Sequence, residues 1–257
     1  MGHIRLGRLP RTQKWKEVIA LVGGDGSAAE VADATVDAAE ADFFSAGADP
    51  TVVHTVWLLT QLPDAARTED FAGALRALGI DVTGDPSATE LASAVGRAVE
   101  AFAQQQDRPR SDIGELARLA AVETLANSLR SATPSLFGPQ LGEVQAQVGQ
   151  IATEKQFGKF ARDFFARMTE RVLTYYVSRE LPLHVGDGLR FNDLDQQRAF
   201  QDAVGLHARQ AALIVESFAG GWYSKARFER DLTPDRTGRF VAYAMKKMRG
   251  ELRRGPP

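Results

Sequence analysis

Val215-Glu216-Ser217-Phe218-Ala219-Gly220-Gly221-Trp222-Tyr223-Ser224-Lys225 joins two stretches of helical period, and its reading decides how the chain is divided. Upstream, Phe200, Val204, Ala208, Ala211, Ile214, Val215 and Phe218 recur mostly every three or four residues. That spacing stacks them on one face of an α-helix opening near Asn192. His207 shares the face, whereas Asp202, Arg209 and Glu216 fall opposite. Gly220-Gly221 is expected to end this helix, because glycine takes the left-handed C-terminal conformation without a Cβ clash. Trp222-Tyr223-Ser224-Lys225 then reads as an aromatic–basic corner.

Thr233-Pro234 restarts the chain as a helix, with threonine as N-cap and proline in the first turn. Phe240, Val241, Ala244, Met248 and Leu252 form its apolar face, and Arg236, Arg239, Lys246, Arg249 and Arg253 fall roughly opposite. One reading is a solvated face whose cations suit the C-terminal end of the helix dipole. The other is a docking stripe for phosphates or for an acidic protein surface. The corner has a similar choice. Trp222 and Tyr223, followed by Lys225, Arg227 and Arg230, suit base stacking and phosphate contact. They equally suit a protein hot spot. The plainer reading, preferred here, is that the two aromatics plug the joint between helices.

Working back towards the start, every other long periodic stretch is also helical. Ser27-Ala28-Ala29-Glu30 is a capping box opening an alanine-rich helix through about Ala46. That helix carries Glu30, Asp33, Asp37 and Glu40 on one stripe. Like charges at this spacing repel, so the stripe calls for an opposing partner. The C-terminal basic stripe is the candidate, within the chain or between chains. Asp49-Pro50 starts a strongly apolar helix that Pro63 is expected to end. Ser87-Ala88-Thr89-Glu90 is a second capping box, and Asp112–Glu115 is read as the cap of the next helix. Residues 131–140, with two prolines and a glycine, form the best boundary between an N-terminal half (1–130, with an extended basic arm over 1–12) and a C-terminal half (135–257), unless the chain is one continuous domain. The longest helix, from Glu154 to about Leu181, carries Phe157, Phe160, Phe164, Phe165, Tyr175 and Tyr176, an aromatic stripe expected in the core. The expectation is an all-α fold of about nine helices, packed as a bundle or as stacked helical hairpins.

The 257 residues have ordinary globular composition, 44% hydrophobic and 25% charged. Cysteine is absent, which excludes disulfides, thiolate metal sites and cysteine nucleophiles. No apolar run is long enough for a membrane span, and the N-terminus lacks the apolar region of a signal peptide. A cytoplasmic protein without membrane partners is expected. The net charge of −2 hides a layout. Residues 1–17 hold five Lys or Arg against one acid, residues 222–257 ten against four, and the middle sixteen against twenty-eight.

The search for chemistry is largely negative. None of His3, His54, His184 and His207 has the helical i,i+4 partner that places two metal ligands on one face. His207 reads as a core histidine satisfied by one hydrogen bond, and His54 as solvated. Elbow-type serine nucleophiles, dinucleotide fingerprints and phosphate-binding loops are missing. Asp33 and Asp37 are spaced to share a Mg²⁺ bridging a diphosphate, but no second acidic motif accompanies them. The expected function is therefore a non-catalytic helical interaction protein, an adaptor or subunit that binds another protein or itself. No catalytic residue, resident metal or cofactor is expected. Nucleic-acid binding through residues 225–254 is the alternative, and a Mg-dependent enzyme using Asp33 and Asp37 is a third reading.

Overall fold

A computed structural model describes residues 9, 12–40, 45–106, 110–130 and 142–254. Among these the protein is all-α, with only an isolated bridge between Val185 and Phe191 outside helices and turns. The proline-containing boundary over 131–140 and nearly all of the N-terminal arm lie outside the described residues, although Leu9 is buried.

Side-chain caps set most helix starts. Helix α1 (Gln13–Gly23) begins at Thr12, whose hydroxyl accepts from the Trp15 amide. Helix α2 (Ala28–Ala38) carries the complete capping box of Ser27 and Glu30. It stops at Ala38, short of the end expected near Ala46, and residues 41–44 are outside the described set. Asp49 accepts from the Thr51 and Val52 amides at the head of α3 (Pro50–Ala65). Pro63 does not end α3, which runs two residues further. Asp70 caps α4 (Phe71–Ala77). Ser87 caps α5 (Ala88–Gln104), but Glu90 turns away from the box to accept from the amide and hydroxyl of Thr83. The cap of α6 (Asp112–Arg130) is Ser111, which accepts from Gly114, rather than Asp112; the Asp112 carboxylate instead accepts from the Tyr175 hydroxyl. After α7 (Glu143–Gln150), Thr153 caps α8 (Glu154–Val177), and a 3-10 turn follows at Leu181–His184.

The last third differs most from the sequence reading. The single helix expected from Asn192 to Gly220-Gly221 is two helices, α9 (Leu194–Ala211) and α10 (Leu213–Phe228), which meet at Ala212. Gly220 and Gly221 do not end anything; α10 passes through them and carries Trp222, Tyr223 and Lys225 on its own turns. Glycine serves close approach here. A Cβ at Gly158 would come within 3.0 Å of the Glu216 carbonyl oxygen, and one at Gly220 would collide with the backbone of Glu154. Paired glycines thus let α8 and α10 pack backbone to backbone. The true end of α10 is a Schellman turn, with the Asp231 amide donating to the Ala226 carbonyl at 2.9 Å and the Arg230 amide to the Arg227 carbonyl at 3.1 Å. Its left-handed residue is Arg230, at φ +54°. Thr233 then accepts from Arg236 to open α11 (Pro234–Arg254).

Helix α8 is the central element. It packs against α10, α6, α9 and α2, and its Phe164, Phe165, Met168 and Leu173 are fully buried. Burying each such side chain stabilises by about 1.5–3 kcal/mol. The core is a single cluster drawing on residues before and after the 131–140 stretch, from Val18 and Val31 to Met248 and Leu252. Helix α11 closes it, contacting α2, α3, α9 and α10. Among the described residues no helix is long and apolar enough to cross a membrane.

Candidate interaction surface

Helix α11 faces α2, and the two charged stripes meet there. Arg249 donates from Nη2 to Asp37 at 2.9 Å and from Nη1 to Glu40 at 2.9 Å. Arg253 lies 3.9 Å from Asp33 and 3.7 Å from Asp37. Lys14 adds a 2.9 Å bond to Glu40 from α1. Glu30, the fourth acid of the stripe, bonds Ser27 instead. The network bears on two of its acids. The Lys14 hydrogen bond, with Arg249 beside it, holds Glu40 below the usual carboxylate range. Burial, and the neighbouring Asp37 charge, push Asp33 up. Asp33 and Asp37 thus face guanidinium groups, and a Mg²⁺ between them would have to displace both Arg249 and Arg253. Among the described residues no group of three or more His, Asp or Glu side chains is placed to hold a metal ion.

Other cations of the C-terminal region are also engaged internally. Arg227 of α10 donates to Asp64 of α3 at 2.6 Å. Arg236 reaches Glu229 at 2.6 Å and Asp231 at 2.8 Å, and Lys225 lies 4.0 Å from Glu229. Arg239, Lys246 and Lys247 remain exposed, without an ion pair among the described residues; Lys247 sits 5.4 Å from the Tyr243 ring centre.

The two aromatics read as a corner part company. Tyr223 is completely buried and stacks on Phe157 at 3.9 Å, so it plugs the α8–α10 joint and offers no surface. Its hydroxyl has no hydrogen-bond partner among the described residues, and burial pushes its pKa up. Trp222 is half-buried and stacks on Phe240 of α11 at 4.0 Å. Phe218 completes the group, edge-on to Phe240 at 6.0 Å and to Tyr243 at 4.9 Å. These rings, with Asp231, Arg236 and Arg239, line an open hollow of about 400 Å³. Its apolar wall and its free guanidinium are the components of a protein-binding hot spot. Phe228 is 90% exposed at the end of α10.

Of the residues singled out in sequence, this hollow takes Trp222, Arg236 and Arg239. Arg249 and Arg253 belong to the contact with α2, and Arg227 to that with α3. Phe218, Phe240, Tyr243 and Phe228 were missed. Helical period assigns Phe218 and Phe240 to buried faces, and only the crossing of α10 over α11 shows that they also wall an opening. His207 is buried, with Nε2 3.1 Å from the Leu252 carbonyl oxygen. His54 is not solvated; it is half-buried, stacked on Phe102 at 3.8 Å, and burial lowers its pKa to about 4.

Comparison with protein-family models, with curated proteins and with solved structures gives no match.

Proposed function

We propose that this chain is a non-catalytic helical interaction protein, an adaptor or subunit of a cytoplasmic assembly, that receives an acidic segment of a partner protein at the Phe218–Trp222–Phe240–Tyr243 hollow. The observation that carries this reading is the contrast between engaged and free cations. Arg249, Arg253, Arg227 and Arg236 are neutralised within the chain, whereas Arg239 stands beside four aromatic rings without an ion pair of its own among the described residues. The same contrast argues against self-association through the stripes, because Asp33, Asp37 and Glu40 already face cations within the chain. It also leaves residues 225–254 few cations for a polyanion, whose affinity depends on how many phosphates are neutralised.

The test is photo-crosslinking from position 243 in cells, in the wild-type background and with Arg239→Glu. Crosslinks to a protein through an acidic segment, lost in the variant, support the proposal. A nucleic-acid crosslink, with duplex affinity that falls steeply with salt, transfers the case to the alternative reading. Crosslinks unchanged by Arg239→Glu, or none at all, overturn it.

A further inference from the structure

A second opening lies between α6 and α8, far in sequence from the aromatic hollow. The helices run antiparallel here: Arg171 reaches back to Glu123, while Tyr175, further along α8, meets Asp112, earlier on α6. The groove between them has a volume of about 620 Å³, within the usual size range of small-molecule sites. Its ends differ. At one end Arg167 and Arg171 share a single carboxylate, Glu123, at 3.3 and 2.8 Å. The Nε of Arg171 is buried and lacks a hydrogen-bond partner among the described residues. At the other end Leu116 and Leu119 present hydrocarbon opposite Thr174 and Ser178.

We infer that this groove binds a small amphipathic carboxylate, with its anionic head at Arg167 and Arg171 and its chain over Leu116 and Leu119. The pair of arginines on one carboxylate favours this orientation. Both oxygens of Glu123 face the two arginines, so one carboxylate serves two guanidiniums and a positive charge is left over. Glu170, the other acid lining the groove, is paired with Arg209 at 2.9 Å. One turn earlier on α8, Arg162 is bracketed by Asp163 and Glu216, and at the far end of the groove Arg179 lies over the Tyr175 ring at 4.2 Å. A planar guanidinium offers a carboxylate two parallel donors, and these gain strength beside hydrocarbon that keeps water out.

The test is isothermal titration calorimetry of the full chain with decanoate and, separately, with decanol, which has the same chain length and no charge. Saturable 1:1 binding of decanoate, about tenfold or more tighter than decanol, is expected from charge-assisted hydrogen bonds. Arg171→Met should remove that preference while leaving decanol unaffected. Leu119→Trp, which fills the half-buried apolar end without touching a charge, should weaken both ligands and remains informative if the arginine variant fails to fold. Absence of saturable decanoate binding, equal affinity for decanol, or binding that survives Leu119→Trp overturns the inference.

Discussion

Gly220 of α10 lies against the backbone of Glu154, the first residue of α8, so closely that a Cβ at Gly220 would collide with the Glu154 carbonyl. Its neighbour Gly221 faces outward, where a Cβ would meet only the Glu154 side chain at an ordinary 3.7 Å. The two glycines therefore respond in opposite directions. Gly220→Ala should destabilise by about 1–3 kcal/mol, because a carbonyl cannot rotate away as a side chain can. Gly221→Ala should stabilise by about 0.5–1 kcal/mol through helix propensity. Urea denaturation of the two variants is the measurement. Equal effects would show that the helices do not approach as described.

Arg230 holds a backbone conformation that glycine adopts at no cost, at the turn that ends α10. The comparable turn after α4 uses Gly79, at φ +80°, with Ile80 donating to the Leu75 carbonyl. A non-glycine residue in this region costs about 1 kcal/mol. Arg230→Gly is expected to raise stability by about 0.5–1 kcal/mol, after allowing for the extra freedom of glycine in the unfolded chain. A lowered thermal midpoint would refute the assignment of the Schellman turn.

The Arg249–Asp37 pair is partly screened from water, whereas Arg198–Asp195 is almost fully exposed. Double-mutant cycles with Arg249→Met and Asp37→Asn should give a coupling of about 1 kcal/mol or more. The same cycle at Arg198 and Asp195 should show no measurable coupling. If the two cycles agreed, α2 and α11 would not be joined by the charge network.

Burial against Phe102 lowers the pKa of His54 from the ordinary 6.5 to about 4. Between these values the unfolded chain binds a proton that the folded one does not. Stability is therefore fully present above pH 6.5 and falls as the pH drops towards 4. In His54→Leu that part of the slope should vanish, as read from urea midpoints at successive pH values. An unchanged slope would place the acid sensitivity of this pH range at a group other than His54.

Helix starts were legible because they are local. Ser27 with Glu30, Asp49 with Pro50, and Thr233 with Pro234 each declare a beginning within four residues. Ends were not. A glycine pair can stop a helix or let another backbone approach, and only the helix opposite distinguishes the two uses; Gly220 and Gly221 were misread on that account. Arg230 gave no signal at all, since arginine is not a turn-forming residue. Of the candidate surface, the charge stripes were visible but not their pairing. Sequence spacing shows that Arg249 and Asp37 lie on polar faces, not that those faces meet. The groove between α6 and α8 was invisible, because Glu123 and Arg171 become neighbours only once two helices far apart in the chain lie side by side.

The bond from Arg249 to Glu40 also has a consequence in time. Its partners are 209 residues apart. At a synthesis rate of about 5–20 residues per second, Glu40 is made roughly 10–40 s before Arg249 exists. Through that interval Glu40 has only Lys14, Asp33 and Asp37 lack their arginines, and the apolar face of α2 waits for helices still being made. A chain ending before Arg249 would leave its first helices without the end of the element that closes the core.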